Sequence, residues 1–298
     1  VRLDKRYENI ELPQIAVVNT KELRRKKQMK SFLSPPLIDK MKEALSKKEQ
    51  IILFQNRRGF ASMLECKTCS WTLHCRNCDV SLTYHKGQRM MVCHYCGATY
   101  EVPTVCPDCK TPTLDMLGYG TERIEEEVAE LFPEASVARM DLDTTRGKRS
   151  YERIISDFEQ NKTNILIGTQ MVSKGLDFDN VSIVGILNAD NMLNYPDFRA
   201  YERAYQLMTQ VSGRAGRKNK QGLVFLQTSH PGSPLISFVR RNDYQSFYEL
   251  QAEERKIFRY PPYFRLINIV VRGRDEQLTD SAAREFASAL RTTFGERV

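Results

Sequence analysis

The chain has 298 residues, 41% of them hydrophobic and 28% charged, with a formal net charge of +8. That length and apolar content build one large or two modest domains with their own core, which excludes a disordered polymer and a small disulfide-stapled scaffold. Repeats, low-complexity tracts, a signal peptide and an apolar run long enough to cross a bilayer are all missing, so the expected protein is cytoplasmic and monomeric, with no membrane partner, and basic enough to suit nucleic acid.

Taken in chain order, residues 15–19 read as a strand. Lys21 to Lys30 then concentrate positive charge, and the expectation is a solvated linker, with phosphate contact as the alternative. Residues 36–46 follow as a helix with proline in its first turn, and residues 50–55 as a strand buried on both faces. Arg57 and Arg58, just beyond it, are candidates for contact with nucleic-acid phosphates.

The pattern is then interrupted by eight cysteines in four C-x2-C pairs: Cys66/Cys69, Cys75/Cys78, Cys93/Cys96 and Cys106/Cys109. Each pair presents two thiolates to a tetrahedral ion, so four pairs make two all-cysteine zinc sites with no ligand position left open. A full ligand set is structural rather than catalytic. His74, His85 and His94 share the window but are not needed as ligands. The inner pairs, Cys75/Cys78 and Cys93/Cys96, stand 14 residues apart, which suits a zinc-ribbon hairpin. Closing that site brings the outer pairs together, so loop lengths favour nested over sequential pairing. With two such centres occupied, the working charge drops to about +4.

Alternating helices and strands resume after the window. A helix is expected over 121–132, opened by Thr121 as its cap, then a strand over 137–141, a helix over 148–160 and a strand over 164–168. A strand over 182–187, a helix over 198–208 and a strand over 222–228 complete the set. This order implies a parallel sheet covered by helices on both faces, with ligands outside the carboxyl ends of its strands. A connecting helix over 243–258 leads to Pro261-Pro262, a strand over 265–272 and a helix over 276–294. That last stretch is too short to bury a core, and the chain starts at Val1 without a methionine, so it is expected to be a fragment cut inside a further domain.

Two segments carry phosphate chemistry. In Gln210-Val211-Ser212-Gly213-Arg214-Ala215-Gly216-Arg217, two arginines three apart would project to one side of a helix, where a guanidinium can neutralise charge on a transferring phosphoryl group. In the segment from Gly168 to Phe178, Thr169 at a strand end can meet a nucleic-acid phosphate, with Lys174 as a further contact, while Gly175 and Asp177 face a nucleotide. No G-x-x-x-x-G-K-[ST] loop occurs anywhere, so the nucleotide's own binding lobe is expected outside this chain.

The first of these segments is similar to motif VI of superfamily-2 helicases, and Gly168-Thr169-Gln170-Met171 with Lys174-Gly175-x-Asp177-Phe178 resembles their motif V. Three further stretches, Leu53-Phe54-Gln55-Asn56-Arg57-Arg58-Gly59-Phe60-Ala61 leading into the cysteine pairs, Gly118-Tyr119-Gly120-Thr121-Glu122, and Pro196-Asp197-Phe198-Arg199-Ala200-Tyr201-Glu202-Arg203, resemble the PriA family of bacterial replication-restart helicases. The resemblance implies an α/β fold, the RecA-like C-terminal helicase lobe, carrying an inserted two-zinc Cys-rich module and followed by the start of a C-terminal α+β domain. Expected boundaries are 1–35 for a lead-in strand and basic linker, 36–63 and 113–258 for the lobe, 64–112 for the zinc insert and 259–298 for the last piece. It further implies a 3′-to-5′ DNA helicase that restarts stalled forks and assembles the primosome, using ATP with Mg2+ and two structural zinc ions. Arg214, Arg217 and Gln210 would be catalytic, and Gly175, Asp177 and Gly213 would lie at the nucleotide. Expected partners are forked and single-stranded DNA, primosome proteins and single-stranded DNA-binding protein, with the fragment inactive alone. The competing reading is a non-enzymatic zinc adaptor on a RecA-like scaffold.

Overall fold

The computed structural model describes residues 11–55, 63–69, 71–77, 82–85, 89–93, 96–117, 121–141, 144–145, 148–173, 178–193, 197–216, 221–267, 269–271, 273 and 275–295. The chain divides into two compact units, Val1–Tyr248 and Glu249–Val298. The first begins with β1 (Gln14–Asn19), α1 (Thr20–Arg25), α2 (Pro35–Ser46) and β2 (Gln50–Phe54). Five short strands of the cysteine window follow: β3 (Met63–Cys66), β4 (Thr83–His85), β5 (Met90–Val92), β6 (Thr99–Tyr100) and β7 (Leu114–Leu117). Next come α3 (Thr121–Leu131), β8 (Val137–Met140), α4 (Lys148–Glu159), β9 (Ile165–Gly168), β10 (Val181–Ile186) and α5 (Asp190–Leu193). The unit ends with α6 (Ala200–Ser212), β11 (Leu223–Thr228), α7 (Pro234–Arg241) and the start of α8 (Tyr244–Ile257).

Six strands make one sheet in the order β1-β11-β10-β2-β9-β8, and every neighbouring pair is parallel. Parallel strands need crossovers that cover both faces, and β2 shows the result: Ile52 and Phe54 enter one core cluster while Ile51 and Leu53 enter the other. The first cluster takes Phe158 of α4, Met208 of α6 and Val239 of α7; the second takes Leu37 and Met41 of α2 with Ile124 and Val128 of α3. In α2 the prolines stand at the first helical positions, where a missing N–H costs nothing, and Leu37, Met41 and Ala44 recur on the buried stripe.

Several expectations need correction. The basic stretch is partly helical: Asn19 caps α1 by accepting from the Glu22 N–H at 3.1 Å. Thr121, expected as the cap, is the first residue of α3, and its hydroxyl donates to Asp141 just after β8 and ties helix to strand. The helix expected over 198–208 begins at Ala200 and runs on to Ser212. α7 is not among the expected elements, although Ser233-Pro234 is a helix-start signal; it ends at Asn242, which is left-handed at φ 52°.

In the second unit α8 ends and α9 (Glu276–Phe294) forms as expected, capped by Asp275. The strand expected over 265–272 is absent among the described residues there. Leu266, Ile267, Ile269, Val270 and Val271 are all exposed, and β propensity without a partner edge does not make a strand.

Gln227 of β11 is fully buried and binds three backbone groups. Its Nε2 donates to the carbonyls of Phe32 at 2.8 Å and Leu187 at 3.0 Å, and its Oε1 accepts from the Ser34 N–H at 2.7 Å. Gln227→Leu keeps the volume but orphans those groups, so it is expected to lower unfolding free energy by about 3 kcal/mol in urea titrations at saturating zinc. An unchanged midpoint would remove Gln227 as the tie between segment 32–34 and the sheet.

Candidate metal centres and phosphate-handling edges

β3 and β7 pair antiparallel, from Met63 opposite Leu117 to Cys66 opposite Leu114, and close the cysteine window at its base. Within it β4, β5 and β6 form an antiparallel meander. Three C-x2-C turns share one backbone pattern. The N–H of Cys66 donates to Trp71 O at 2.8 Å, that of Cys93 to Ala98 O at 2.8 Å and that of Cys106 to Thr111 O at 2.9 Å. Gly97 and Lys110, each directly after a pair, are left-handed with φ of 79° and 58°, which turns the chain back over the sulfurs.

These turns gather the sulfurs into two groups, Cys66, Cys69, Cys106 and Cys109 in one and Cys75, Cys93 and Cys96 in the other, with all ligand atoms of a group within 4.8 Å of one another. The grouping is nested, outer pairs with outer and inner with inner. Cys78 lies outside the described residues. Cys66 and Cys109 sulfurs are 3.4 Å apart, Cys69 and Cys106 3.7 Å, and Cys75 and Cys96 3.6 Å. Zinc–sulfur bonds of about 2.3 Å in a tetrahedron put sulfurs about 3.8 Å apart, whereas a disulfide needs about 2.05 Å. The donor set therefore fits zinc, and the seven described cysteines are free of disulfides.

Hydroxyl groups that the sequence reading missed surround the sulfurs. Thr111 Oγ1 is 2.9 Å from the Cys109 sulfur, Thr113 Oγ1 3.4 Å from Cys66, and the Tyr100 hydroxyl 3.3 Å from Cys75. Burial opposes the Cys66 thiolate, but hydrogen bonds from Thr113 and from the backbone of Cys69 and Thr68 outweigh it and bring the thiol down to about 5. Burial pushes the Cys69 thiol up to about 12. Cys66 and Cys69 are thus pushed in opposite directions, and a dication beside them would favour the thiolate of both. His74 is held by Thr72, with Nε2 2.7 Å from the hydroxyl.

The two phosphate segments sit at opposite ends of the strands. Thr169 follows β9 at the carboxyl end, nearly buried, its N–H 3.3 Å from Met140 O and its carbonyl accepting from Val172 at 3.1 Å to open a 3-10 turn, Gln170–Ser173. Beside it Gln55 extends β2 and donates its N–H to Gly168 O at 2.9 Å. Any side chain at Gly168 would collide with this turn, since a Cβ there stands 2.3 Å from Val172 Cγ1.

Arg214 belongs to the amino-end edge. α6 returns across the sheet and stops at Ser212; Gly213 caps it by donating to Thr209 O at 2.9 Å, and Arg214 N–H reaches Val211 O at 3.0 Å. Gly216 then turns left-handed, φ 76°, and donates to Val181 O at 2.9 Å, at the first residue of β10. Gly222, just before β11, packs so closely here that a Cβ would stand 2.2 Å from the Ala215 carbonyl carbon. The expectation of two arginines on one side of a helix fails, because the helix has ended before Arg214. Gln210 is exposed on the last turn of α6. Partial burial lowers the Arg214 pKa from the ordinary guanidinium value; such a group remains cationic, and its lost hydration strengthens its attraction for an anion.

Strand β10 has six residues, so the two edges stand roughly 20 Å apart at about 3.3 Å per residue. Segment 169–181 covers that distance alone, leaving from Thr169 and arriving at Val181. Val172 and Phe178 from this segment share a core cluster with Met208, Val211 and Ala215 around the end of α6. Arg57, Arg58, Lys174, Gly175, Asp177 and Arg217 lie outside the described residues.

Family comparisons agree with this architecture. The model described as the PriA DNA helicase Cys-rich region (CRR) domain matches residues 75–100, and the helicase conserved C-terminal domain matches residues 111–219. The replication restart protein PriA of Bacillus subtilis is 40% identical over 284 residues, 95% of this chain and 35% of that protein. Its counterpart in Haemophilus influenzae is 43% identical over 255 residues, 86% of this chain and 35% of that protein. That of Synechocystis sp. is 37% identical over 292 residues, 96% of this chain and 35% of that protein. The chain spans about a third of the length of these relatives. A parallel helicase lobe interrupted by a nested cysteine module, matched in sequence along most of this chain, makes the chain similar to about a third of the PriA replication restart proteins.

Proposed function

We propose that this chain is the second motor lobe of an ATP-dependent 3′-to-5′ DNA helicase that acts at stalled replication forks, where it assembles the primosome in the cytoplasm. The observation that carries the reading is segment 169–181, which joins a candidate nucleic-acid contact at Thr169 to the Arg214 turn through the Gly216–Val181 hydrogen bond. Arg214 and Arg217, with Gln210 beside them and Gly213 allowing close approach, stabilise charge developing on the terminal phosphoryl group of ATP. Gly175 and Asp177 face the nucleotide, while Thr169, Lys174, Arg57 and Arg58 hold strand phosphates.

The P-loop and the acidic ligands of Mg2+ belong to a separate lobe, since the sequence holds no G-x-x-x-x-G-K-[ST] loop. The chain alone is therefore a DNA-binding monomer without turnover. Forked and single-stranded DNA, primosome proteins and single-stranded DNA-binding protein are its partners within the whole protein. No described helix is long and apolar enough to cross a membrane. Two zinc ions occupy the cysteine module, one held by Cys66, Cys69, Cys106 and Cys109, the other by Cys75, Cys93 and Cys96 with Cys78. Zinc supplies the folding free energy that so small a module lacks.

In the whole protein, Arg214→Ala is expected to reduce DNA-stimulated ATP hydrolysis by about 10³ or more while nucleotide binding, measured separately, weakens far less. Near-normal turnover would end the arginine assignment and favour the adaptor reading. Metal analysis of the purified chain is expected to give two zinc ions per molecule. Because zinc displaces protons from thiols, its affinity should fall as pH is lowered, by about tenfold per unit for each thiol that must ionise, in competition against a chromophoric chelator. One ion per molecule, or affinity indifferent to pH, would contradict the two-site assignment.

A further inference from the structure

A cleft of about 380 Å³ opens between α1 and the segment after it, the first turns of α3, and the base of the zinc module. Its size falls within the range of small-ligand pockets. Five cations line it, Arg24, Lys27, Lys30, Lys67 and Arg123, against three carboxylates, Glu65, Asp115 and Glu127. Each carboxylate already has an internal partner. Glu65 pairs with Arg24, Asp115 pairs with Lys67 at 2.8 Å, and Glu127 accepts the Phe32 N–H at 3.1 Å.

The positive groups are less completely matched. Among the described residues no carboxylate lies within ion-pair distance of Lys27 or Lys30. Lys27 is also left-handed, φ 55°, at the end of α1, where its N–H reaches Arg24 O and the Gln28 N–H reaches Leu23 O, both at 2.9 Å. Glycine takes that conformation without strain; here a lysine stands instead and lines the cleft. Phe32 adds an aromatic wall, with the Arg123 guanidinium 5.5 Å from its ring centroid. Through Gln227 this segment is anchored at the carboxyl-terminal part of β11, and the zinc module departs beyond the carboxyl end of β2, so the cleft lies toward the strand ends that carry Thr169.

Excess fixed cations, carboxylates engaged internally and an aromatic wall make a receptor for a phosphodiester. We propose that the cleft seats a backbone phosphate of a DNA strand beside the base of the zinc module, with Lys27 and Lys30 as its contacts, as a subsite separate from Thr169. The proposal rests on the DNA-binding reading above, and extends the strand's path from the sheet to the zinc module.

The test uses the complete chain and a labelled oligothymidylate, followed by anisotropy at several salt concentrations. Lys27→Ala with Lys30→Ala is expected to weaken binding roughly tenfold at low salt and to flatten the slope of log affinity on log salt by about 0.7, the value for one phosphate on a single strand. Lys27→Arg with Lys30→Arg should restore both, and zinc content should not change in either variant. DNA should also protect Lys27 and Lys30 of the unaltered chain from acetylation, a readout that requires no substitution. Undiminished binding and slope in the alanine variant, or no protection, would overturn the cleft assignment while leaving the motor reading in place. Absence of DNA binding by the unaltered chain would overturn both. Displacement of the DNA by inorganic phosphate at constant ionic strength would assign the cleft to free phosphate and overturn the strand assignment.

Discussion

A sheet whose strands are all parallel cannot be closed by tight turns. Each strand must be followed by a connection that travels back along the whole sheet, and both faces must be covered to bury the strands. Most of what matters in this molecule follows from that constraint. It puts Thr169 and the Arg214 turn at opposite strand ends, roughly 20 Å apart, and it requires segment 169–181 to bridge them. Where neighbouring connections use long helices such as α4 and α6, this one opens with a short 3-10 turn, and its described residues Val172 and Phe178 pack with Met208, Val211 and Ala215 at the end of α6.

The same constraint explains how a zinc module can interrupt the lobe without disturbing it. The connection from β2 to α3 leaves at the carboxyl end of the sheet, where an insertion adds length outside the core. The β3–β7 pair closes the insertion's base, so the sheet receives a fixed stem rather than two loose strands. Among the described residues the module's buried cluster joins Leu64 of the stem to Leu82 and Met91 together with Cys75 and Cys93. Two of those five residues are candidate ligands. Candidate ligands and core share one cluster here, and left-handed turns at Gly97 and Lys110 follow two of the cysteine pairs.

Charge is distributed on the same plan. The ion pair of Arg24 with Glu65 links α1 to the stem of the zinc module, and Lys67 with Asp115 joins the stem's two sides. Partly exposed pairs of this kind contribute little to stability, so their effect is chiefly on orientation. Gln227 does more. Its three hydrogen bonds are buried, and they hold segment 32–34 against β10 and β11 at the point where the basic stretch meets the lobe.

Features that depend on local pattern or ligand count were legible before folding was considered. Alternating apolar runs announced the parallel sheet, four C-x2-C pairs announced two metal groups, and loop lengths predicted their nesting. Long-range decisions were not legible there. Gly213 is a local stop signal for the helix before Arg214, but nothing local reveals that Gly216 docks on Val181 at the far edge from Thr169, because that arises from packing between segments distant in sequence. The apolar run at 265–272 read as a strand for the same reason: pattern reports propensity, and only a partner edge makes a strand. Thr111, Thr113 and Tyr100 came to the cysteine sulfurs, and Lys27 and Lys30 to one cleft, through tertiary structure alone, since hydroxyl and ammonium groups carry no periodic signal and acquire their roles from what folding places beside them.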